Sequence, residues 1–148
     1  MDIELIRDKN SKKRKITQWT FMAKRLIGIV GYGITTIPFD VDVKNRDKFT
    51  KTTIMVRNDS GFINGGASDK ERHTCIRWKK DDAINCSFDH KIGTFTMTKI
   101  SSDGKNSAVI EKNVIDGETF YPFVAFSNPK SSANGDQIEF IFHNHYYC

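Results

Sequence analysis

Residues Lys79–Phe95 read KKDDAINCSFDHKIGTF. The stretch holds two adjacent aspartates, a cysteine and a late glycine. It can be read as acids gathered round a thiol, or as the two strands of a hairpin. Alternation decides between them. Ile84, Cys86 and Phe88 face one way, and Asn85, Ser87 and Asp89 the other, which is the period of a half-buried strand. Asp81 and Asp82 are neighbours at the strand entry, so their side chains point to opposite faces. Asp89 stands at the strand exit, about 23 Å from Asp82 along an extended chain. Carboxylates so spread do not converge, as acid/base work requires. A nucleophilic thiol needs an electropositive, partly exposed setting, whereas Cys86 sits on the apolar face. Gly93 closes the hairpin into Thr94–Met97.

The same period recurs along the chain. Phe95 and Met97 alternate with Thr94, Thr96 and Thr98, and Ile138, Phe140 and Phe142 alternate with Gln137, Glu139, Ile141 and His143. Phe120–Phe126, FYPFVAF, is apolar on both faces and belongs inside a two-sheet stack. Its Pro122 cannot donate to a ladder, which predicts a strand start, bulge or edge there. Turn signals separate the runs: Asn10-Ser11, Asn58–Gly61, Asn64–Gly66, Asp103-Gly104, Asp116-Gly117 and Asn134-Gly135, each of a type that favours tight turns. Phe62–Lys70 and Asn128–Asp136 read as true loops. Short strands at this spacing predict an all-β, two-sheet antiparallel β-sandwich. No long window carries a helical stripe.

Bulk properties narrow the function classes. The chain has 148 residues, 38% apolar and 11% aromatic, enough for one domain spanning 1–148 with a real core. Ile, Val, Thr and Phe carry the apolar load, and only Leu5 and Leu26 are leucines; this bias favours strands. The net charge is +5. Residues 7–25 hold eight basic residues against Asp8, and the sequence from Leu26 onward is neutral overall. The charge is a local feature and does not describe a broad nucleic-acid surface, so nucleic acid is a disfavoured partner. The longest apolar run, Leu26–Ile34, is too short to span a bilayer. The N-terminus lacks an apolar stretch of signal-peptide length. Cys75, Cys86 and Cys148 are odd in number and show no CxxC spacing, which fits reduced thiols in a cytoplasmic or nuclear protein.

Four stretches, in order, resemble the SPRY domain family. Asp2–Ile6 with Arg25–Gly31, DIELI and RLIGIVG, is similar to the family's strands of the "WEVEV … WxVGV" kind. KKDDAINCSFD resembles "kkGDvIGclLD", and DHKIGTFTM resembles "DyexGTlsF". Lys105–Phe126 with Gly135–Phe140 resembles the family's ending around "YPavsl" and "vxinF". Asp81-Asp82 departs from the family's "GD", and Ile84-Asn85 departs from its "IG". The family's first tryptophan would fall at Met1, so the resemblance implies a domain lacking its N-terminal edge strands. It also implies a concanavalin-like jelly roll that binds a protein or peptide partner through loops at one end, without catalysis or cofactor.

Other motifs are weighed on the same terms. Gly28, Gly31 and Gly33 run GxxGxG, not the GxGxxG of a phosphate loop, and close strand packing explains them better. His143, Asn144, His145 and Cys148 end the chain as HNHYYC. His143 and His145 share a strand face if extended, which leaves a metal site open beside the preferred reading of a frayed tail; no metal is assigned. Lys12, Lys13, Arg14 and Lys15 form a basic cluster. It reads as the solvated tip of a hairpin between Asp2–Ile6 and Lys15–Phe21, with nuclear localisation or an anionic contact as the alternatives. Trp19 and Trp78 read as core. Loop position nominates Arg57 and Phe62 as binding anchors, with Asn64, Asn113 and Tyr121 as polar contacts. The expected protein is a monomeric interaction module. A carbohydrate- or nucleic-acid-binding sandwich is the alternative.

Overall fold

The computed structural model describes residues 3–28, 30–36, 53–58, 61–64, 78–101, 106–113, 119–126 and 137–147. Among them, ten strands form two antiparallel five-stranded sheets. The first sheet runs β1 (Leu5–Ile6), β9 (Thr119–Phe126), β3 (Val30–Thr35), β4 (Thr53–Arg57) and β5 (Gly61–Asn64). The second runs β10 (Gln137–Tyr147), β2 (Lys15–Arg25), β6 (Ala83–Asp89), β7 (Thr94–Ile100) and β8 (Asn106–Asn113). The expected sandwich is the observed one.

Side-chain alternation builds the core. Trp19, Phe21 and Ala23 of β2 are fully buried, as are Ile84 and Phe88 of β6 and Phe95 and Met97 of β7. From the other sheet come Leu5, Val30, Tyr32, Ile34, Val56 and Phe120. Rings link the layers. Phe140 packs on Phe21 at 5.4 Å, Phe21 stacks on Tyr32 at 4.8 Å, and Tyr32 stacks on Trp78 at 4.1 Å. The Phe21–Tyr32 pair joins β2 of one sheet to β3 of the other. Trp19 and Trp78 are core residues, as expected from the sequence.

Turn chemistry matches the backbone. Gly93 has φ +70°, a conformation glycine adopts without steric cost. Asp89 organises that turn: its Oδ1 accepts from the backbone N–H of Lys91 and Ile92, and Gly93 N donates to Asp89 O. Asp81 also takes a left-handed backbone, φ 69°, at the position where the resembled pattern has glycine. Aspartate is among the few side chains that visit this region readily. Asp82 is buried and accepts from Lys79 N at 3.0 Å, with Lys99 Nζ 3.8 Å away.

Several expectations are corrected. The C-terminus is not frayed: β10 pairs with β2 along its length, with register shifts at 137/138 and 142/144. The basic cluster is not at a hairpin tip, because β1 pairs with β9 while β2 pairs with β6 and β10. The chain crosses between sheets there. Pro122 stands inside β9, opposite Ile34 of β3. On its other side β9 pairs β1 only at Thr119 and Phe120. Phe62 and Asn64 lie in β5, not in a loop; residues 65–70 and the expected loop Asn128–Asp136 fall outside the described residues. β9 is interior to its sheet, and the face away from the core is also buried at Thr35, Met55 and Phe123.

Gly31 and Gly33 read as close-packing positions, and each is one. A Cβ on Gly33 would lie 1.8 Å from the carbonyl oxygen of Ile54, whereas a Cβ on Gly31 would meet the Met55 side chain. Backbone cannot yield as a thioether can. Gly33→Ala should therefore cost about 3 kcal/mol or more, and Gly31→Ala about 1 kcal/mol. Urea unfolding of the two variants measures the difference; equal losses would contradict it.

Candidate functional site

One end of the sandwich is built round His90. The segment at residues 7–14 runs across the β6–β7 turn and is tied to it. Asp8 N donates to His90 O at 2.6 Å, and His90 N donates to Lys15 O at 3.0 Å. Arg14 Nε donates to Asp89 Oδ2. Within the segment, Asn10 N donates to Asp8 Oδ1 and Ser11 N to Asp8 O. The Arg7 side chain packs against the Gly93 backbone, where a Cβ would lie 2.5 Å from Arg7 Cδ. The basic segment is thus pinned to the turn, with Lys12 and Lys13 exposed on it and Lys91 exposed on the turn beneath.

Behind this surface lies a hydrogen-bonded chain that joins both sheets. A carbonyl oxygen can only accept, so His90 Nδ1 donates to Ile6 O, 3.0 Å away. In neutral His90 the Nε2 is then an acceptor, and the Thr17 hydroxyl donates to it at 2.7 Å. His145 Nδ1, 2.8 Å from the same hydroxyl oxygen, is left to donate to it. Ile6 belongs to β1, Thr17 to β2 and His145 to β10. Burial lowers the pKa of His90, helped by the Lys15 and His145 charges and opposed by the Ile6 hydrogen bond and Asp89. Partial burial, with Lys15 nearby, lowers that of His145.

The face of the second sheet away from the core is polar and uncharged at its centre. Thr20 Oγ1 donates to Asn85 Oδ1 at 2.7 Å, and His143 Nε2, 2.6 Å from that hydroxyl, donates to it. These groups, with Gln18, Asn144 and Ile141, border a shallow depression. The 142/144 bulge decides the histidine geometry. His143 meets Thr20 on the outer face, while His145 meets Thr17, which is fully buried beside the core. The two imidazoles therefore do not share a face, and the metal alternative fails on register. Cys148 lies outside the described residues. Cys86 is buried, and desolvation pushes its thiol well above the ordinary cysteine range, so it is unsuited to nucleophilic work.

The five nominated binding residues divide between the two ends. Tyr121 pairs with Thr35, and Asn64 with Ile54, one rung further in. Asn113 pairs with Thr94, just past the β6–β7 turn. Those three share the end where Ile6 meets His90. Arg57 pairs with Gly31 and Gly61 at the far end of the same sheet, about 13 Å from the Tyr121 rung. Phe62 pairs with Val56, between the two ends. His90, Thr17 and Ile92 carried no motif and were not nominated. The one local signal was the Asp89–Gly93 turn in which His90 and Ile92 stand.

No family model matches the sequence, and a comparison with curated proteins finds no match. Solved structures do match. The chain superposes on the SPRY domain of human HERC1 with a TM-score of 0.62 and 19% identity, covering 95% of this chain and 79% of that one. The fold is that of a SPRY domain. This SPRY-like sandwich also matches metal-free lectin I-B4 from Griffonia simplicifolia, with a TM-score of 0.53 and 15% identity over 97% of this chain and 76% of the lectin. The identities are low, so both likenesses concern architecture. Among the described residues, no helix is long and apolar enough to cross a membrane, and no cluster of His, Cys, Asp or Glu is arranged to hold a metal ion.

The histidine chain gives the SPRY-like domain a signed pH dependence. A folded-state pKa below the unfolded one means the unfolded chain binds more protons. Stability is then complete above the ordinary histidine value, about 6.5, and falls as pH drops below it. The midpoint of thermal unfolding should be lower by a few degrees at mildly acidic than at neutral pH. In His90→Asn the neutral-pH midpoint should fall, and its dependence on acid should shrink. An unchanged pH slope in that variant would remove His90 as the cause.

Proposed function

We propose that this SPRY-like domain is a non-catalytic recognition module that captures a protein or peptide partner at the His90 end of the sandwich. The observation that carries the proposal is the convergence of strands from both sheets at that end. Tyr121, Asn64 and Asn113 stand on three strands from both sheets at that end, and Lys12 and Lys13 are exposed on the segment that crosses the β6–β7 turn. The hydrogen bonds of His90, Asp89 and Asp8 hold that end together. A rigid surface binds with little ordering cost. The groups that could have done chemistry are committed elsewhere: Asp82 and Asp89 to turn and strand-end bonds, Cys86 to the core. An interaction domain of this kind accords with the SPRY-like fold.

One observation favours a second reading. The uncharged hydroxyl and amide face around Thr20, Asn85 and His143 suits a neutral hydroxylated ligand such as a glycan, and a lectin shares the architecture. Glycan-array binding that is lost in Thr20→Val would support it over the first.

The main reading is tested by affinity capture, identification of the captured partner, and titration of the purified pair. Tyr121→Ala with Asn113→Ala should weaken binding by about tenfold or more. Arg57→Ala with Phe62→Ala should leave it within about twofold if folding is intact. The opposite pattern would move the site to the far end.

A further inference from the structure

We infer that the partner presents an acidic segment, with apolar side chains among its carboxylates, to the lysines over the β6–β7 turn. The inference rests on the protein-recognition reading and names its partner class. Residues 7–15 and 89–93 together carry seven basic and two acidic side chains, a net +5 that equals the net charge of the whole chain. Sequence distance hides this, because Lys91 follows Lys12 by many residues and is brought to the same end by the Asp8–His90, His90–Lys15 and Arg14–Asp89 contacts. Both acids are occupied. Asp89 is held by Arg14 and by turn N–H groups, and Asp8 accepts from Asn10 and Ser11. Neither needs the exposed Lys12, Lys13 or Lys91 as its counter-charge, so the field of the patch reaches outward.

Apolar groups stand among these charges. Ile92 is 47% exposed next to Lys91, and Tyr147, 63% exposed, lies across the strand pair from Lys15. Exposed anchors within a charged rim match how protein partners are held: apolar groups supply affinity, and complementary charges steer approach and fix register. A nucleic acid is less suited. Its backbone calls for a basic stripe, whereas the charge outside this patch sums to zero. The lysines act as point charges on a fixed platform, which suits side-chain carboxylates along a flexible segment.

Fluorescence anisotropy with the intact domain tests the inference. The probes are a labelled peptide of Glu and Asp interspersed with Leu, the same peptide with Gln and Asn for the acids, and a single-stranded oligonucleotide. The acidic peptide should bind best, and more weakly as salt rises. Lys12→Glu with Lys13→Glu and Lys91→Glu should reduce that binding by about tenfold or more. Ser at the same three positions should give a smaller loss. Ile92→Ser should weaken the peptide and leave the oligonucleotide unchanged. Equal binding of the neutral peptide, preference for the oligonucleotide, or indifference to both lysine variants would overturn the inference. The captured partner separates the two levels of reading. If its binding depends on Tyr121 and Asn113 but ignores the lysines, recognition at this end stands and the acidic segment falls. If it ignores all of them, the recognition reading falls as well.

Discussion

The fold depends on one contact between its layers, the stack of Phe21 on Tyr32. Two sheets pack face to face at about 10 Å, and something must fill that gap at its centre. Here flat rings do so in series: Phe140 against Phe21, Phe21 against Tyr32, Tyr32 against Trp78. Stacked rings gain about 0.5–1.5 kcal/mol beyond the area they bury. The series also fixes register. A one-residue slip of β2 would turn Phe21 outward and bring Met22 or Thr20 to the gap. The glycines that flank Tyr32 belong to the same constraint, since Gly33 lets β3 approach β4 closely enough to present Tyr32 and Ile34 inward.

The His90 end is joined differently. Between β1 and the second sheet the link is polar and directional, running from Ile6 through His90 and Thr17 to His145. Aromatic packing tolerates small shifts, but a hydrogen-bonded chain with dictated donors does not. This difference holds that end in a fixed arrangement while the core carries the stability. It also explains why a basic run that looks solvated in isolation is anchored in the fold.

Legibility in the sequence followed the physics of each element. The hairpin of β6 and β7 was readable because alternation and Gly93 are local signals, and the core assignment of Cys86 came with it. The partnership of β1 with β9 was not readable, because a two-residue strand carries no period. The bulge in β10 was likewise hidden: HNHYY looks like a continuous alternation or a tail, and only its pairing with Gln18 and Thr17 reveals the extra residue. The fixed end around His90 depends on contacts between residues far apart in the chain, such as Arg14 with Asp89 and Thr17 with His90. No spacing rule captures these. Asp81 was a departure from the resembled pattern, yet its positive φ shows that the backbone requirement persists under a different side chain.

The unequal strands at the two ends of the chain have a mechanical consequence. β1 is held by two rungs to β9, by the burial of Leu5 and by the Ile6–His90 bond. β10 is held to β2 along an eleven-residue strand. Under tension applied between the termini, β1 is the first element to peel. Its departure frees His90 Nδ1 and undoes the support beneath the lysines while the aromatic centre stays closed. A pull too weak to unfold the domain would thus loosen the His90 end first.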